Sequence, residues 1–318
     1  VQRPQPADGD KPPARIFHAD AWGLRQQKYD YLAANDLTTT EWQQLAPTAP
    51  GFYFVPKDFG LDEEFGQGFS VEDIFSTFQN GIKTDRDDLF FDFDRTTLEQ
   101  RMQTFYSPAG VADGFRQQYR VENSSSYDLL DRRRRTSYSA SNVRRCLYRP
   151  FDNRWLYYAP KSGNVPALTS RLAWEVMQHM IEGKNLCLVT TRQTKYEFTA
   201  LCTNSIAEKA CANRLDINTF YPLYLYPTPQ EQQLGLTERR ANLKPQFVAA
   251  VAERLGLSFI ADGKGDLTAT FGPEDIFQYI YAIFHSPEYR RRYAELLKTD
   301  YPRLPLTSDR ALFAQLCG

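Results

Sequence analysis

Between Asp58 and Asp131 the chain carries 16 acids and 6 bases, a local charge of −10. From Arg132 to Tyr158 it carries eight arginines, one acid and six aromatic rings, a local charge of +7. The sign changes at one boundary, in a chain whose formal net charge is −1. Segregated charge makes a local field even when the total cancels. It also constrains the fold. Rings gain by burial, while guanidinium groups need water, an acid or an anionic partner. The alternation in "RWLYY", Arg154 to Tyr158, points to a strand that buries part of its rings.

The chain has 318 residues, enough for two domains or three small ones. At 42% hydrophobic and 14% aromatic residues the composition is that of a globular protein with a real core. No apolar run approaches 18 residues, so no membrane span is expected. The opening "VQRPQPADGDKPPA" is polar and proline-rich without a signal-peptide core, and reads as a linker or a cut edge of something longer. Five cysteines, odd in number and without a C-x-x-C, argue against disulfides and zinc and fit a reducing cytoplasm.

Along the chain, "ARIFHADAWG" reads as a strand and "LRQQKYDYLAAND" as a short helix with Tyr29 and Leu32 inward. "GFYFVPKD" reads as a second strand. These elements are too few to close a domain and resemble the end of a sheet. "SVEDIF" predicts a turn or helix capped by Ser70. The Asn80-Gly81 pair predicts a tight turn. "LFFDFD" alternates as a strand, and "TTLEQRMQTFY" reads as a helix. "SSSYDLLDRRRR" leads into a basic helix or loop. From Val143 to Pro227, "VRRCLYRPF", "RWLYYA", "NLCLVTT" and "FYPLYLYP" are strand-like runs. One helix interrupts them, with Leu172, Val176 and Met180 on one face and Gly183 as its stop. The tail is helical. One helix runs from Pro245 to Gly256, and a second starts at Pro273 with Ile276, Ile280 and Phe284 aligned. A third is capped by Ser286 with Pro287 at its first position.

Several chemistries are absent. There is no G-x-x-x-x-G-K-[ST] phosphate loop and no G-x-S-x-G nucleophile elbow. His18, His179 and His285 have no second ligand at metal spacing, and His179 reads as a surface or supporting residue. "EFGQGF" contains a G-x-G but follows "LDEE" rather than a buried strand, so it reads as a turn. Asp88, Asp92 and Asp94 could hold a metal in a nuclease. No Glu-x-Lys accompanies them, and a solvated strand face accounts for them more simply.

Three stretches are candidates for nucleic-acid contact. In the basic run, Arg132, Arg133, Arg144, Arg145, Arg149 and Arg154 can fork onto phosphates while the rings stack on bases or on guanidinium planes. The alternative is that Arg149 and Arg154 are structural and the rings are core. "TTRQTKYEF" follows a strand. There Arg192 could read guanine and Gln193 adenine, with Lys195 and Tyr196 holding the backbone. In "NGIKTDRD", Lys83, Thr84 and Arg86 supply phosphate donors, against the acids Asp85 and Asp87.

The ordered blocks "GIKTDRD", "YRPFDNRWLYY", "NLCLVTTRQ", "YPLYLYP" and "GPEDIFQYIYAIFHSPEYRRRYAELLKTDYPRLPLT" resemble the C-terminal part of type ISP restriction–modification enzymes. The opening "ARIFHADAWGLRQQKYDYL" resembles the end of that family's methyltransferase domain. The likeness covers nearly the whole chain from Ala14 onward. It implies a parent that joins nuclease, ATP-driven translocase, adenine-N6 methyltransferase and target recognition in one polypeptide. S-adenosylmethionine, ATP and magnesium would serve domains upstream of Val1, where the family's methylation and ATPase motifs would lie, and this chain would need no cofactor itself. The implied partners are double-stranded DNA and those upstream domains, with no membrane. The expected fold is mixed α/β, of the α+β kind. Residues 1–14 would be a linker and 15–125 the end of a methyltransferase-like domain with a connector. Residues 126–230 would form a strand-rich target recognition domain, and 231–318 a helical region packed back in support. Two rivals stand beside this reading: a metal-dependent nuclease, and a scaffold that never touches bases.

Overall fold

The computed structural model describes residues 14–48, 52–56, 60–160, 167–181, 184–194 and 196–318. Two compact units divide the chain, Val1–Leu61 and Asp62–Gly318.

In the first unit β1 (Ile16–His18) pairs antiparallel with β2 (Gln43–Leu45), placing Ile16 opposite Leu45. Helix Arg25–Ala34 lies between them in sequence and buries none of its residues. Tyr29 and Leu32, expected inward, are 51% and 64% exposed. The second strand is therefore not "GFYFVPKD". Phe52 has φ of 44°, a left-handed backbone that a strand cannot hold, and Phe54 is exposed. Gly51, Lys57 and Asp58 lie outside the described residues.

The second unit is built on two four-stranded sheets. In chain order its strands include β3 (Phe69–Ser70), β4 (Gln79–Asn80), β5 (Phe91–Asp92), β6 (Val143–Arg149) and β7 (Asp152–Tyr157). They continue with β8 (Cys187–Thr191), β9 (Ala200–Thr203), β10 (Ile206–Ala207) and β11 (Asn218–Pro222). One sheet has the order β10-β6-β7-β5, parallel between β10 and β6 and otherwise antiparallel. The other is antiparallel throughout, in the order β4-β11-β8-β9. Every residue of β8 and β11 is buried, which is why these segments read as continuous apolar runs.

One stretch stitches the sheets together. Gln79 and Asn80 pair with β11, and two residues later Ile82 bridges to Glu208 at the end of β10. Ile82 N–H donates to Ala207 O, and Ile82 O accepts from Lys209 N–H at 2.9 Å. The Asn80-Gly81 pair is thus an extended crossing, not the tight turn its residues predict. A Cβ on Gly81 would lie 2.5 Å from Phe220 Cε2 and 2.8 Å from Lys209 Cα. Glycine is there for close approach. One apolar cluster, from Ile82 and Leu89 through Leu156 and Tyr158 to Val189 and Phe220, draws on both sheets.

The expected strand "LFFDFD" divides into a short helix, Asp87–Phe90, and the two residues of β5. The helix expected around Val176 is one turn, Trp174–Met177, continued by a 3₁₀ turn. Val176 and Met180 are buried as expected, and Gly183 lies outside the described residues. Helices Pro245–Leu255, Pro273–His285 and Pro287–Arg292 begin at the predicted prolines. Ser286 caps the third, accepting from Tyr289 N–H, and Gly256 ends the first with φ of 61°.

These helices pack on the strands. Phe284 meets Phe198 edge-on at 5.7 Å, and His285 Nε2 sits 3.0 Å from Ala200 O. Arg303–Leu304 pairs with β3. Residues 62–318 therefore hold together through pairings that cross position 125, β5 with β7 and β4 with β11, and through one that crosses both 125 and 230, Arg303–Leu304 with β3. Among the described residues no helix is long and apolar enough to cross a membrane.

Candidate nucleic-acid interface

The basic run begins in helix Leu129–Arg135 and continues through the β6–β7 hairpin. Its arginines are used in two ways. Arg132 donates through Nη1 to Ala167 O at 2.9 Å and to Thr169 O, and its guanidinium lies 5.0 Å from the Tyr127 ring. Arg133 donates to Phe105 O and Ser107 O. Both tie the helix to backbone carbonyls more than twenty residues away, so they are struts rather than open phosphate contacts. Arg134 and Arg135 each lie 3.6 Å from Asp131, at the exposed end of the helix.

In the hairpin the same residue type stacks. Arg149 and Arg154 each place their guanidinium carbon 4.0 Å from the centroid of Tyr148, and Arg154 is also 4.2 Å from that of Phe93. Each cation has an acid. Arg154 makes a forked pair with Asp152, and Arg149 Nη1 meets Glu208 Oε2 at 2.8 Å. Tyr148 O–H donates to Asp87 at 2.9 Å. Burial, then the Asp87 charge, pushes the Tyr148 hydroxyl up to about 12. The bonds to Asp152 hold Arg154 above its ordinary range. Glu208 is shifted upward because burial outweighs the Ala210 N–H and Arg149 that favour its charge. Arg145 lies 5.3 Å from its cross-strand partner Trp155, whose ring Arg95 also approaches. Among the described residues the Arg144 side chain has no hydrogen bond, ion pair or ring contact, although its backbone belongs to the β6–β7 ladder. It is the one cation of the run left unengaged.

Beside the stack lies a cleft of about 520 Å³ between the 83–88 segment, Tyr148–Arg149 and the loop after β10. It brings Lys83 and Thr84 together with Arg149, as three separate sequence stretches had not indicated. Its lining also holds Arg120, Lys209 and Arg214, which sequence reasoning missed because each stands alone in the sequence. Five bases face five acids there, so the cleft has no net pull on an anion. Lys83 pairs with Asp85 at 2.8 Å, and the Thr84 hydroxyl donates to Asp87. Arg86 turns away from the cleft altogether. It is 7% exposed and donates to the carbonyls of Arg120, Asp85 and Glu122 at 2.7, 2.8 and 3.0 Å. The expectation that Thr84 and Arg86 offer donors to phosphate is corrected by this arrangement: both are buried with their donors engaged.

The loop after β8 docks on the C-terminal helical region. Gln193 Nε2 donates to Thr299 O at 3.2 Å, Thr194 N–H to Lys298 O, and Arg192 lies 5.8 Å from the Tyr301 ring. Arg192 and Tyr196 keep exposed side chains, while Lys195 lies outside the described residues.

The remaining candidates resolve into structural roles. His179 is buried rather than on the surface. Its Nδ1 accepts from Tyr226 N–H at 3.0 Å, and burial lowers its pKa to about 4. Asp92 pairs with Arg101, Asp94 caps helix Arg95–Phe105 through Thr97 N–H, and Asp88 is exposed. Among the described residues no group of three or more His, Cys, Asp and Glu could hold a metal. All five cysteines are free thiols.

The family model described as the type ISP C-terminal specificity domain matches residues 73–318. Three solved structures share the fold. A DrdV–DNA complex matches at 19% identity and a TM-score of 0.65, over 91% of this chain and 28% of that one. A nuclease-deletion mutant of the type ISP restriction–modification enzyme LlaGI, in complex with a DNA substrate mimic, matches at 19% and 0.64, over 95% and 23%. The ATP-dependent type ISP restriction–modification enzyme LlaBIII bound to DNA matches at 18% and 0.65, over 92% and 18%. The chain therefore spans under a third of each of these proteins. No curated protein matches it.

Proposed function

Because this chain belongs to the type ISP C-terminal specificity domain family, we propose that it is the DNA target-recognition region of a restriction–modification enzyme. In this reading it holds duplex DNA for adenine-N6 methylation and restriction carried out by domains beyond it. S-adenosylmethionine, ATP and magnesium would act in those domains. The observation that carries the proposal is the family match across residues 73–318. Three neighbours of the same fold, two bound to DNA and one to a DNA substrate mimic, support it.

The surface refines how recognition would work. Most arginines of the basic run are engaged, so affinity for phosphate would fall to Arg144, which has no polar partner among the described residues, and to Arg145, which is exposed beside the Trp155 ring. Arg192, exposed on a loop held by the helical region, would reach base edges, and the exposed Tyr196 would hold the backbone beside it. A second reading, a scaffold that joins domains without touching DNA, draws on the inward arginines and the charge-balanced cleft.

Gel shifts of the 318-residue chain on labelled duplexes in graded salt separate the two. A DNA binder loses affinity as salt rises, by roughly 0.9 log units per log of salt for each phosphate neutralised. No shift at any salt would leave the scaffold. Nicking of supercoiled plasmid with magnesium would instead revive the nuclease reading.

A further inference from the structure

The tip of the β6–β7 hairpin carries a ring that the folded protein does not use. Phe151 is 94% exposed, and its backbone has φ of 60°. A bulky residue is uncommon in that left-handed region, where turn chemistry favours glycine or asparagine. Neither conformation nor exposure is favourable for phenylalanine, and no contact within the described residues compensates. Pro150 before it stiffens the turn. Asp152 after it is locked by the forked pair with Arg154.

The side chains flanking Phe151 in the hairpin are tied together. Phe93, Arg154, Tyr148 and Arg149 form a stack in which each cation meets a ring at 4.0 to 4.2 Å. Glu208 and Asp87 pin the stack from the side. Phe93, on the outer side of Arg154, is itself 67% exposed. The cations here are paired with acids, so this corner offers aromatic faces rather than net positive charge. A nucleobase stacks on such faces regardless of sequence, whereas a phosphate gains little from neutralised guanidinium.

We propose that Phe151, presented by the Phe93–Arg154–Tyr148–Arg149 stack, is a wedge that enters a base step of bound DNA and stacks on an unstacked base. The proposal rests on the DNA-binding reading above and adds where the helix is opened. Apolar wedges of this kind part base steps and kink the duplex. The cost of unstacking is least where a base is already mispaired.

The test uses two labelled 30-base-pair duplexes, one fully paired and one with a single central mismatch, titrated with the wild-type chain and with Phe151→Gly. Wild type is expected to prefer the mismatched duplex by roughly tenfold, in line with one base stacked on a ring. Phe151→Gly loses that preference while keeping the salt dependence of wild type. Glycine accepts the left-handed backbone, so the variant's thermal midpoint should equal or exceed that of wild type. A folding defect then cannot account for lost binding. Phe151→Trp should keep the preference. If Phe151→Gly binds both duplexes as wild type does, or wild type shows no preference, the wedge is overturned while DNA binding stands. If wild type binds neither duplex at low salt, the DNA-binding reading falls and the wedge with it.

Discussion

Two tyrosines in this protein each have a pair of arginines against them, and the pairs do opposite things. At Tyr127, Arg86 and Arg132 approach the ring at 5.7 and 5.0 Å, and their donors end on backbone carbonyls. At Tyr148, Arg149 and Arg154 both lie 4.0 Å from the ring, and their donors reach Glu208 and Asp152. In the first pair Arg86 is buried and Arg132 half-buried, with their donors spent on carbonyls. The second stays near solvent and is neutralised. Neither supplies an open cation. A count of +7 over Arg132–Tyr158 therefore overstates the potential that region can show a polyanion, because guanidinium is a structural donor as readily as a phosphate ligand.

The sharpest way to break this contrast is to remove one arginine from each cluster. Arg86→Ala takes a buried guanidinium away from three part-buried carbonyls, and a hydrogen bond from a charged donor is worth about 1.5–3 kcal/mol. A loss of about 3 kcal/mol or more in urea unfolding is expected. Arg154→Ala gives up a partly exposed ion pair and its ring contacts, together about 1 kcal/mol. Equal losses would mean that carbonyl-held and carboxylate-held arginines carry the fold alike.

The distinction could not be read from the sequence, for a physical reason. The acceptors of Arg86, Arg132 and Arg133 are carbonyls 26 to 37 residues away, apart from the local Asp85. No residue type announces a carbonyl. Local chemistry was legible. Pro245, Pro273 and Pro287 open their helices, Ser286 caps the third, and β6, β7, β8 and β11 lie where apolar runs placed them. What failed was long-range. Asn80-Gly81 looked like a turn because the pair is a turn signal, yet Gly81 serves contact with Phe220 and Lys209, more than 120 positions on. His179 looked exposed beside Glu175 and Gln178, and the packing around Tyr226 buries it. Of the three candidate stretches, the fold gathers Lys83, Thr84 and Arg149 at one cleft and sets the Arg192–Tyr196 loop against the C-terminal helices.

His179 extends the lesson of the buried donors to titration. Its Nδ1 accepts the Tyr226 N–H, and the ring faces Arg240 and Glu231, with burial and Arg240 disfavouring its charge. A folded pKa of about 4 lies below the ordinary value of 6.5, so the unfolded chain binds the extra proton first. Stability is therefore full above pH 6.5 and is lost as pH falls toward 4. Between pH 7.5 and 5.0 this group should cost about 2 kcal/mol. His179→Gln, which keeps an acceptor without a titrating ring, should lose that part of the slope in urea unfolding at the two pH values. An unchanged slope would place the acid sensitivity elsewhere.

The smallest effect bears most directly on function. Arg144 stands on β6 opposite Leu156 with no partner among the described residues, while its neighbours in the run are engaged. With no polar or ring partner to lose among the described residues, Arg144→Ala should leave stability within about 0.5 kcal/mol. If Arg144 meets a phosphate, the variant should lower the salt slope of duplex binding by roughly 0.9 and weaken all sequences alike. Arg132→Ala, judged on its folded fraction, should leave that slope unchanged. The reverse result, a slope that follows Arg132 and ignores Arg144, would mean that carbonyl-bound arginines open toward DNA and that the two tyrosine clusters differ only in the unbound protein.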